Sequence, residues 1–385
     1  MVIHNLHSFI FQASFGGKFE KRKMLVIDEA HEVEGIVRGF TTKKVNISGV
    51  IPPAELNLAL ETNKTLTDWT SFFLKDTYVP EESSMEKARK QADSTYKTVK
   101  DRYLESVTGL SLGSLLEKGF AVETEVITRS GTNVPIGISF EFIPVHLGPA
   151  VQSMLLDFGD NVLLMSGTVY DKAKFCQNLG INPETAYFLR VGSSFPVGNR
   201  PIYCLPKYQV DTSHAQWNDN FPTLVEKIKE ICAVFHDVKG LIHAPSYAAA
   251  EQLMNALNDD RFVTHTPVNF QDQLSRFYSD KHAKVFISPT CQQGVDFKGD
   301  RARFQIVIRV PYASTASRFA AYMIEKNFAW YMYQALIVFG QQIGRVNRSP
   351  DDFGATFLID SRFNKFISRA SKLLPTWLKE AIVWK

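Results

Sequence analysis

The sequence predicts an α/β protein built on parallel sheets. Three observations carry that expectation: short unbroken aliphatic runs, helical periodicities between them, and polar clusters where the runs end. The runs are Met24–Asp28, Val162–Ser166, Leu241–Ala244, Lys284–Ser288, Phe304–Val310 and Ala355–Asp360. Unbroken apolar stretches are what strands covered on both faces look like, whereas a half-buried strand alternates. Helical patterns at Thr223–Phe235 and Ser246–Leu257 separate several runs, the second opening on Pro-Ser, a helix N-terminal signal. Ligands of parallel sheets sit beyond the carboxyl ends of strands, and the polar clusters lie there too.

Composition bounds the alternatives. At 385 residues, 45% hydrophobic and 22% charged, the chain is neither disordered nor collagenous nor mucin-like. Such a length suggests roughly two or three domains. A net charge of +3 is too small to argue for nucleic-acid binding by itself. Cys176, Cys204, Cys232 and Cys291 lie far apart without metal-ligand spacing, so neither a zinc nor an iron–sulfur site is expected in this chain. That usage suits a reducing compartment. No apolar run reaches the ~18 residues of a membrane span, and Met1–Ser14 carries no basic leader. The expectation is a cytoplasmic protein without a membrane partner.

Between about Lys44 and Phe140 the strand signal weakens and helix-forming stretches dominate. Met85, Ala88, Ala92, Tyr96, Val99, Tyr103 and Val107 step at helical spacing, with Lys87, Arg89, Lys90, Lys97, Lys100 and Arg102 on the outer face. That face reads as a solvated surface or as a phosphate-contacting one. The region is expected to be a largely helical insertion. A linker is expected around Val191–Pro201, rich in Gly, Ser and Pro.

Two clusters carry most of the chemistry. Asp28-Glu29-Ala30-His31 follows the run Met24–Ile27. Adjacent carboxylates at a strand end suit a Mg²⁺–nucleotide, one orienting the metal and the next polarising the attacking water. An acidic strand-to-helix turn is the other reading. Gln341-Gln-Ile-Gly-Arg345-Val-Asn-Arg348 closes the aromatic helical stretch Phe319–Phe339. Two arginines spaced for one helix face can meet phosphate oxygens, or simply favour a helix C-terminus. Weaker clusters are Ser166-Gly167-Thr168, Pro245-Ser246-Tyr247, and Ser288–Asp296 with Thr290, Gln293, Gly294 and Asp296. Each alone is compatible with ordinary turn chemistry.

In chain order these stretches resemble the XPD/DinG family of superfamily-two DNA helicases. The resemblance rests on Val2–His7, Asp28–His31, Ser166–Thr168, Gly240–Ser246, Gln293–Phe297 and Gln341–Arg348, with Ala329–Ala335 leading into the last and Asp360–Arg362 beyond it. It implies RecA-like parallel sheets: residues 1–44 and 141–192 as an incomplete first motor domain, 193–385 as a complete second one, and 45–140 as a mainly helical arch-like insertion. It further implies ATP and Mg²⁺ as cofactors and translocation on single-stranded DNA, usually 5′ to 3′. By the same resemblance Asp28 holds Mg²⁺ through water and Glu29 is the base toward the attacking water. His31, Ser166, Gly167 and Thr168 couple the sites. Gly294 and Asp296 approach the nucleotide, Gln341, Arg345 and Arg348 its γ-phosphate, and Ser246, Tyr247, Thr290 and Gln293 the strand.

The departures matter equally. The family's phosphate-binding loop, ending Gly-Lys-Thr/Ser, has no counterpart before Asp28, where Gly16-Gly17-Lys18 lacks the earlier Gly and the hydroxyl after Lys. The family's iron–sulfur module would also lie upstream, and Gln293 stands where the family has Glu. Phosphoryl transfer depends on positioning and charge stabilisation. The isolated chain is therefore expected to hydrolyse ATP weakly or not at all, as a fragment, a degenerate paralogue, or a split subunit completed by a second polypeptide with the Walker A loop. The alternative is a non-catalytic module that binds single-stranded DNA or a partner protein.

Overall fold

The computed structural model describes residues 4–15, 19–48, 119–128, 135–291, 295–315 and 317–385. Its chain divides into two compact units, Met1–Ser166 with Cys176–Pro183 and Ser314–Asn327, and Gly167–Phe175 with Glu184–Ala313 and Phe328–Lys385. The stretch 191–201, expected to be a linker, lies inside the second unit, and the boundary near it falls between Pro183 and Glu184.

The first unit begins with α1 (Leu6–Phe15), β1 (Arg22–Ile27) and α2 (Val33–Thr41). Next come β2 (Lys43–Ser48), β3 (Phe120–Thr128), β4 (Pro135–Pro144), α3 (Gly148–Met154) and β5 (Gly159–Leu164). The strands β1 and β5 pair in parallel from Arg22↔Gly159 to Ile27↔Leu164. Ile10, Val33, Val37, Val151 and Leu155, on the helices of this unit and the turn after α3, are fully buried. One face of the strand pair departs from the expectation of strands covered on both sides. Met24 (56% exposed), Val26 (52%), Leu163 (44%) and Met165 (40%) face water. In-register partners of a parallel pair share a face, so these side chains form one apolar surface.

The described ends of 45–140 are strands rather than helix. They form an antiparallel sheet in the order β2-β4-β3. Glu123 of β3 accepts from the amide of Phe319 at 3.3 Å and from Ser317 Oγ. The Arg38 guanidinium lies 4.4 Å from the Phe319 ring centroid and donates to the Pro144 carbonyl. The amphipathic stretch Met85–Val107 lies outside the described residues.

The second unit is a seven-stranded parallel sheet. Its strands are β6 (Ile202–Tyr203), β7 (Gly240–His243), β8 (Phe262–Thr264), β9 (Val285–Ser288), β10 (Phe304–Val307), β11 (Ala355–Leu358) and β12 (Ile382–Val383). They run in the order β12-β6-β11-β10-β7-β9-β8. Here the unbroken apolar runs behave as expected: β7, β9, β10 and β11 are buried at every position. A side chain at Gly240 would strike the Phe304 ring on the neighbouring strand, so this register needs glycine there.

Helix α4 (Lys172–Leu179) contains the division between the two units at Phe175 and Cys176. Helices α5 (Trp217–Val234), α6 (Tyr247–Leu257) and α7 (Phe270–Ser279) follow, then α8 (Arg318–Lys326) in the first unit and α9 (Phe328–Ile343) in the second. The chain ends with α10 (Phe363–Ala370) and α11 (Thr376–Ala381). One core packs α9, α10 and α11 on the sheet, and another packs α5 and α6. Helix α5 starts ahead of the expected Thr223 and runs through Pro222, because Trp217 and Phe221 pack against that second core. The stretch read as one helix, Phe319–Phe339, is two. Asn327, at φ −146° and ψ 63°, ends α8 before α9 begins.

Candidate functional site

In the first unit, the parallel pairing of β1 with β5 sets Asp28 beside Met165. The Met165 amide donates to the Ile27 carbonyl and the Ala30 amide to the Met165 carbonyl, each at 2.8 Å. This clamp turns the chain sharply. Glu29 adopts φ 49° and ψ 43°, in the left-handed region, and Asp28 Oδ1 accepts from the Glu29 amide at 2.8 Å. Such a backbone costs a non-glycine residue of order 1–3 kcal/mol and persists where the surroundings over-determine it. Ala30 is fully buried while Asp28 and Glu29 remain exposed. His31 Nδ1 lies 2.8 Å from Ser166 Oγ and 3.3 Å from Glu29 Oε2. Two open carboxylates at a strand end are hard oxygen donors of the kind Mg²⁺ takes, so the residues present fit that ion.

In the second unit, Gln341 and Arg345 form a buried knot. Gln341 Nε2 donates to Thr168 Oγ1 at 3.0 Å, and its Oε1 accepts from an Arg345 terminal nitrogen at 3.1 Å. Arg345 Nε donates to the Gln341 carbonyl at 3.0 Å and its other terminal nitrogen to the Val295 carbonyl at 2.9 Å. Arg345 is only 7% exposed. Gly340 is what allows the approach, because a Cβ there would strike the Tyr170 hydroxyl and crowd Thr168.

The two arginines do not share a helix face. Helix α9 ends at Ile343 and Arg345 sits in the turn that follows. Arg348 is exposed and pairs with Asp296 at 3.3 Å. The physical reason is the buried Asp352, whose Oδ2 accepts the amides of Gly299 and Arg348 at 3.2 Å and draws the chain off the helix axis.

The remaining candidates are dispersed along the second sheet's carboxyl edge. Ser246 caps α6, its Oγ accepting from the Ala249 amide at 3.1 Å, and Tyr247 sits edge-on to His265. The Thr290 amide donates at 3.1 Å to Ser288 Oγ, which lies 2.8 Å from His265 Nε2. Gln293 and Gly294 lie outside the described residues.

One supporting residue escaped the sequence. Gln305, in the middle of β10, accepts from His243 Nε2 at 2.9 Å and donates to Thr356 Oγ1 at 2.9 Å and to the Ile343 carbonyl at 3.1 Å. It thereby holds the end of α9, next to the arginine knot. The signal was present, since an amide inside an apolar run must find buried partners. Burial, helped by Arg345 and opposed by the Gln305 bond, lowers His243 to about 4, so its ring is neutral.

Comparison with known proteins follows the same division. Residues 228–381 match the family model of the helicase C-terminal domain. A 126-residue stretch is 28% identical to the Regulator of telomere elongation helicase 1 homolog of Caenorhabditis elegans, covering 27% of this chain and 12% of that protein. The match thus takes in about an eighth of that relative's length. Among solved structures, Xpd4 of S. tokodaii is similar over 94% of this chain and 75% of its own, at 16% identity and a TM-score of 0.52. An apo XPD structure is similar over 98% of this chain and 81% of its own, at 14% identity and a TM-score of 0.56. At such identities the likeness is one of fold. Residues 228–381 are thus similar to the helicase C-terminal domain, and the chain as a whole shares the fold of the XPD structures.

Proposed function

We propose that this chain serves an ATP-driven helicase that moves along single-stranded DNA in the 5′ to 3′ sense. The observation that carries the reading is the tripeptide Ser166-Gly167-Thr168. Its first hydroxyl lies against His31 of the acidic motif, and its last takes the hydrogen bond of Gln341 from the arginine motif. Two hydroxyls so close in sequence, each engaged with a different candidate catalytic motif, support a coupling role for this tripeptide.

In this reading Asp28 would hold the metal of a bound Mg²⁺–ATP, and Glu29 would accept the proton of the attacking water. A bound Mg²⁺–ATP supplies the phosphoanhydride and the cation that neutralises it. By the family resemblance, Gly294 and Asp296 would contact the nucleotide. Arg348, already exposed, reaches the γ-phosphate, with Gln341 and Arg345 behind it relaying its state to Thr168. Ser246, Tyr247, Thr290 and Gln293 serve the strand. Turnover needs a phosphate-binding loop ending Gly-Lys-Thr/Ser, supplied by further sequence or by a second polypeptide.

The test is a strand-stimulated ATPase and strand-binding assay on the chain, beside Glu29→Gln. We expect salt-sensitive strand binding in both proteins and little turnover in either. Robust turnover in the parent that Glu29→Gln abolishes would show that no further loop is required. Failure of the folded chain to bind any strand would overturn the helicase reading.

A further inference from the structure

Beyond the carboxyl ends of β10 and β11 stands a group of residues with no part in the roles assigned above. β10 runs on into Ile308-Arg309-Val310 and β11 into Ile359-Asp360-Ser361-Arg362. Asp360 is fully buried, and its oxygens accept Arg362 Nε at 2.9 and 3.1 Å, a terminal Arg362 nitrogen at 2.7 Å, and the Val310 amide at 3.1 Å. This fork fixes the Arg362 guanidinium. Arg309 lies beside it, half-buried, its guanidinium 4.9 Å from the ring centroid of Trp217. The indole is itself pinned, donating from Nε1 to Gln252 Oε1 at 2.8 Å.

Arg309 is the odd member. Its Nε is buried and has no hydrogen-bond partner among the described residues. The nearby carboxylates are engaged elsewhere, Asp360 with Arg362 and Asp211 with the Ser213 amide at 2.8 Å. Burial and the charge of Arg362 both weigh against a cation here, offset in part by Asp360 and Asp211. A desolvated guanidinium with an unmet donor is costly unless an anion completes it. The planar fork of arginine matches the paired oxygens of a phosphate. Aromatic rings lie close by. Tyr312 and Tyr331 stack at 5.3 Å and 5°, and the charge of Arg362 reaches both hydroxyls. Cationic forks beside aromatic rings suit a nucleotide strand better than a free phosphate ion.

We infer that Arg309, seated on Trp217 beside Arg362, is a backbone-phosphate subsite for single-stranded nucleic acid at the carboxyl edge of the second sheet. The inference rests on the strand-binding reading proposed above and names a contact for it outside the residues that reading uses.

The test is fluorescence anisotropy with a labelled oligothymidylate across a chloride series, on the full chain, with Arg309→Gln and Arg309→Lys. Loss of one phosphate contact should lower the slope of log affinity against log salt by about 0.7 in Arg309→Gln, with binding weaker by about tenfold at low salt. Arg309→Lys should restore the slope and part of the affinity, and thermal melts should match the parent. Binding by the parent with an unchanged slope in Arg309→Gln would overturn the subsite and leave the helicase reading standing. No binding by the folded parent would sink both. Inorganic phosphate at matched ionic strength should compete no better than chloride. If inorganic phosphate binds the parent but not Arg309→Gln, and leaves strand binding unaffected in both, the site takes free phosphate and the strand assignment is wrong.

Discussion

His243 shows how a single side chain ties the sheet to acid stability. Buried on β7 and bonded to Gln305, it has its affinity for protons reduced from the ordinary 6.5 to about 4. Below about 6.5 the unfolded chain protonates this histidine while the folded chain does not. Stability therefore falls with pH from about 6.5 down to about 4, and nothing is lost above that window. The drop tends toward roughly 3 kcal/mol if the whole shift is expressed. Urea titrations of the parent and His243→Gln from neutral to mildly acid pH should diverge in slope across that window. Parallel slopes would mean that the ring titrates freely. Asp28, Glu29, His31 and Arg345 could be singled out from sequence because each belongs to a short local pattern. Gln305, His243 and Asp352 could not, because their partners come from distant strands and turns that no local pattern brings together.

At the scale of elements, the sharpest constraint is the seating of α9 on the segment 167–170. Gly340 meets Tyr170 and Thr168 so closely that any Cβ must displace a buried ring. Overpacking of this kind costs about 1–3 kcal/mol. Gly340→Ala is expected to lower the stability by that measure, with a correspondingly lower melting midpoint, and to loosen the Gln341–Thr168 bond one residue on. A melting curve identical to the parent's would show that Tyr170 swings aside at no cost. The elements also show where sequence patterns succeed and fail. β7, β9, β10 and β11 were legible as unbroken runs because both of their faces are covered. The strand β3 (Phe120–Thr128) and the first part of β4 (Pro135–Pro144) lie where the sequence predicts mainly helix, because their alternation is short and interrupted. The one-helix reading of Phe319–Phe339 failed at Asn327 because an apolar periodicity does not register a single residue that leaves the helical region.

For the whole molecule, the contrast between its two sheets is the most informative property. The second sheet is covered on both faces and its sequence says so. The first carries the same kind of unbroken runs, Met24–Ile27 and Val162–Met165, yet leaves Met24, Val26, Leu163 and Met165 in water. A composition suited to two-sided burial, on a sheet covered from one side, makes a contiguous apolar surface that seeks a partner. That surface adjoins the strand end bearing Asp28. On its own, the chain should cover the surface by self-association. Val26→Thr and Leu163→Thr together keep β-branched or short side chains suited to strands while removing much of that drive. Because both side chains already face water, the substitutions should leave the stability within about 0.5 kcal/mol of the parent's. Sedimentation velocity should then show a shift from associated species toward monomer in the double variant. A parent that is monomeric at every concentration, or a double variant that unfolds, would show that this face is covered within the chain itself.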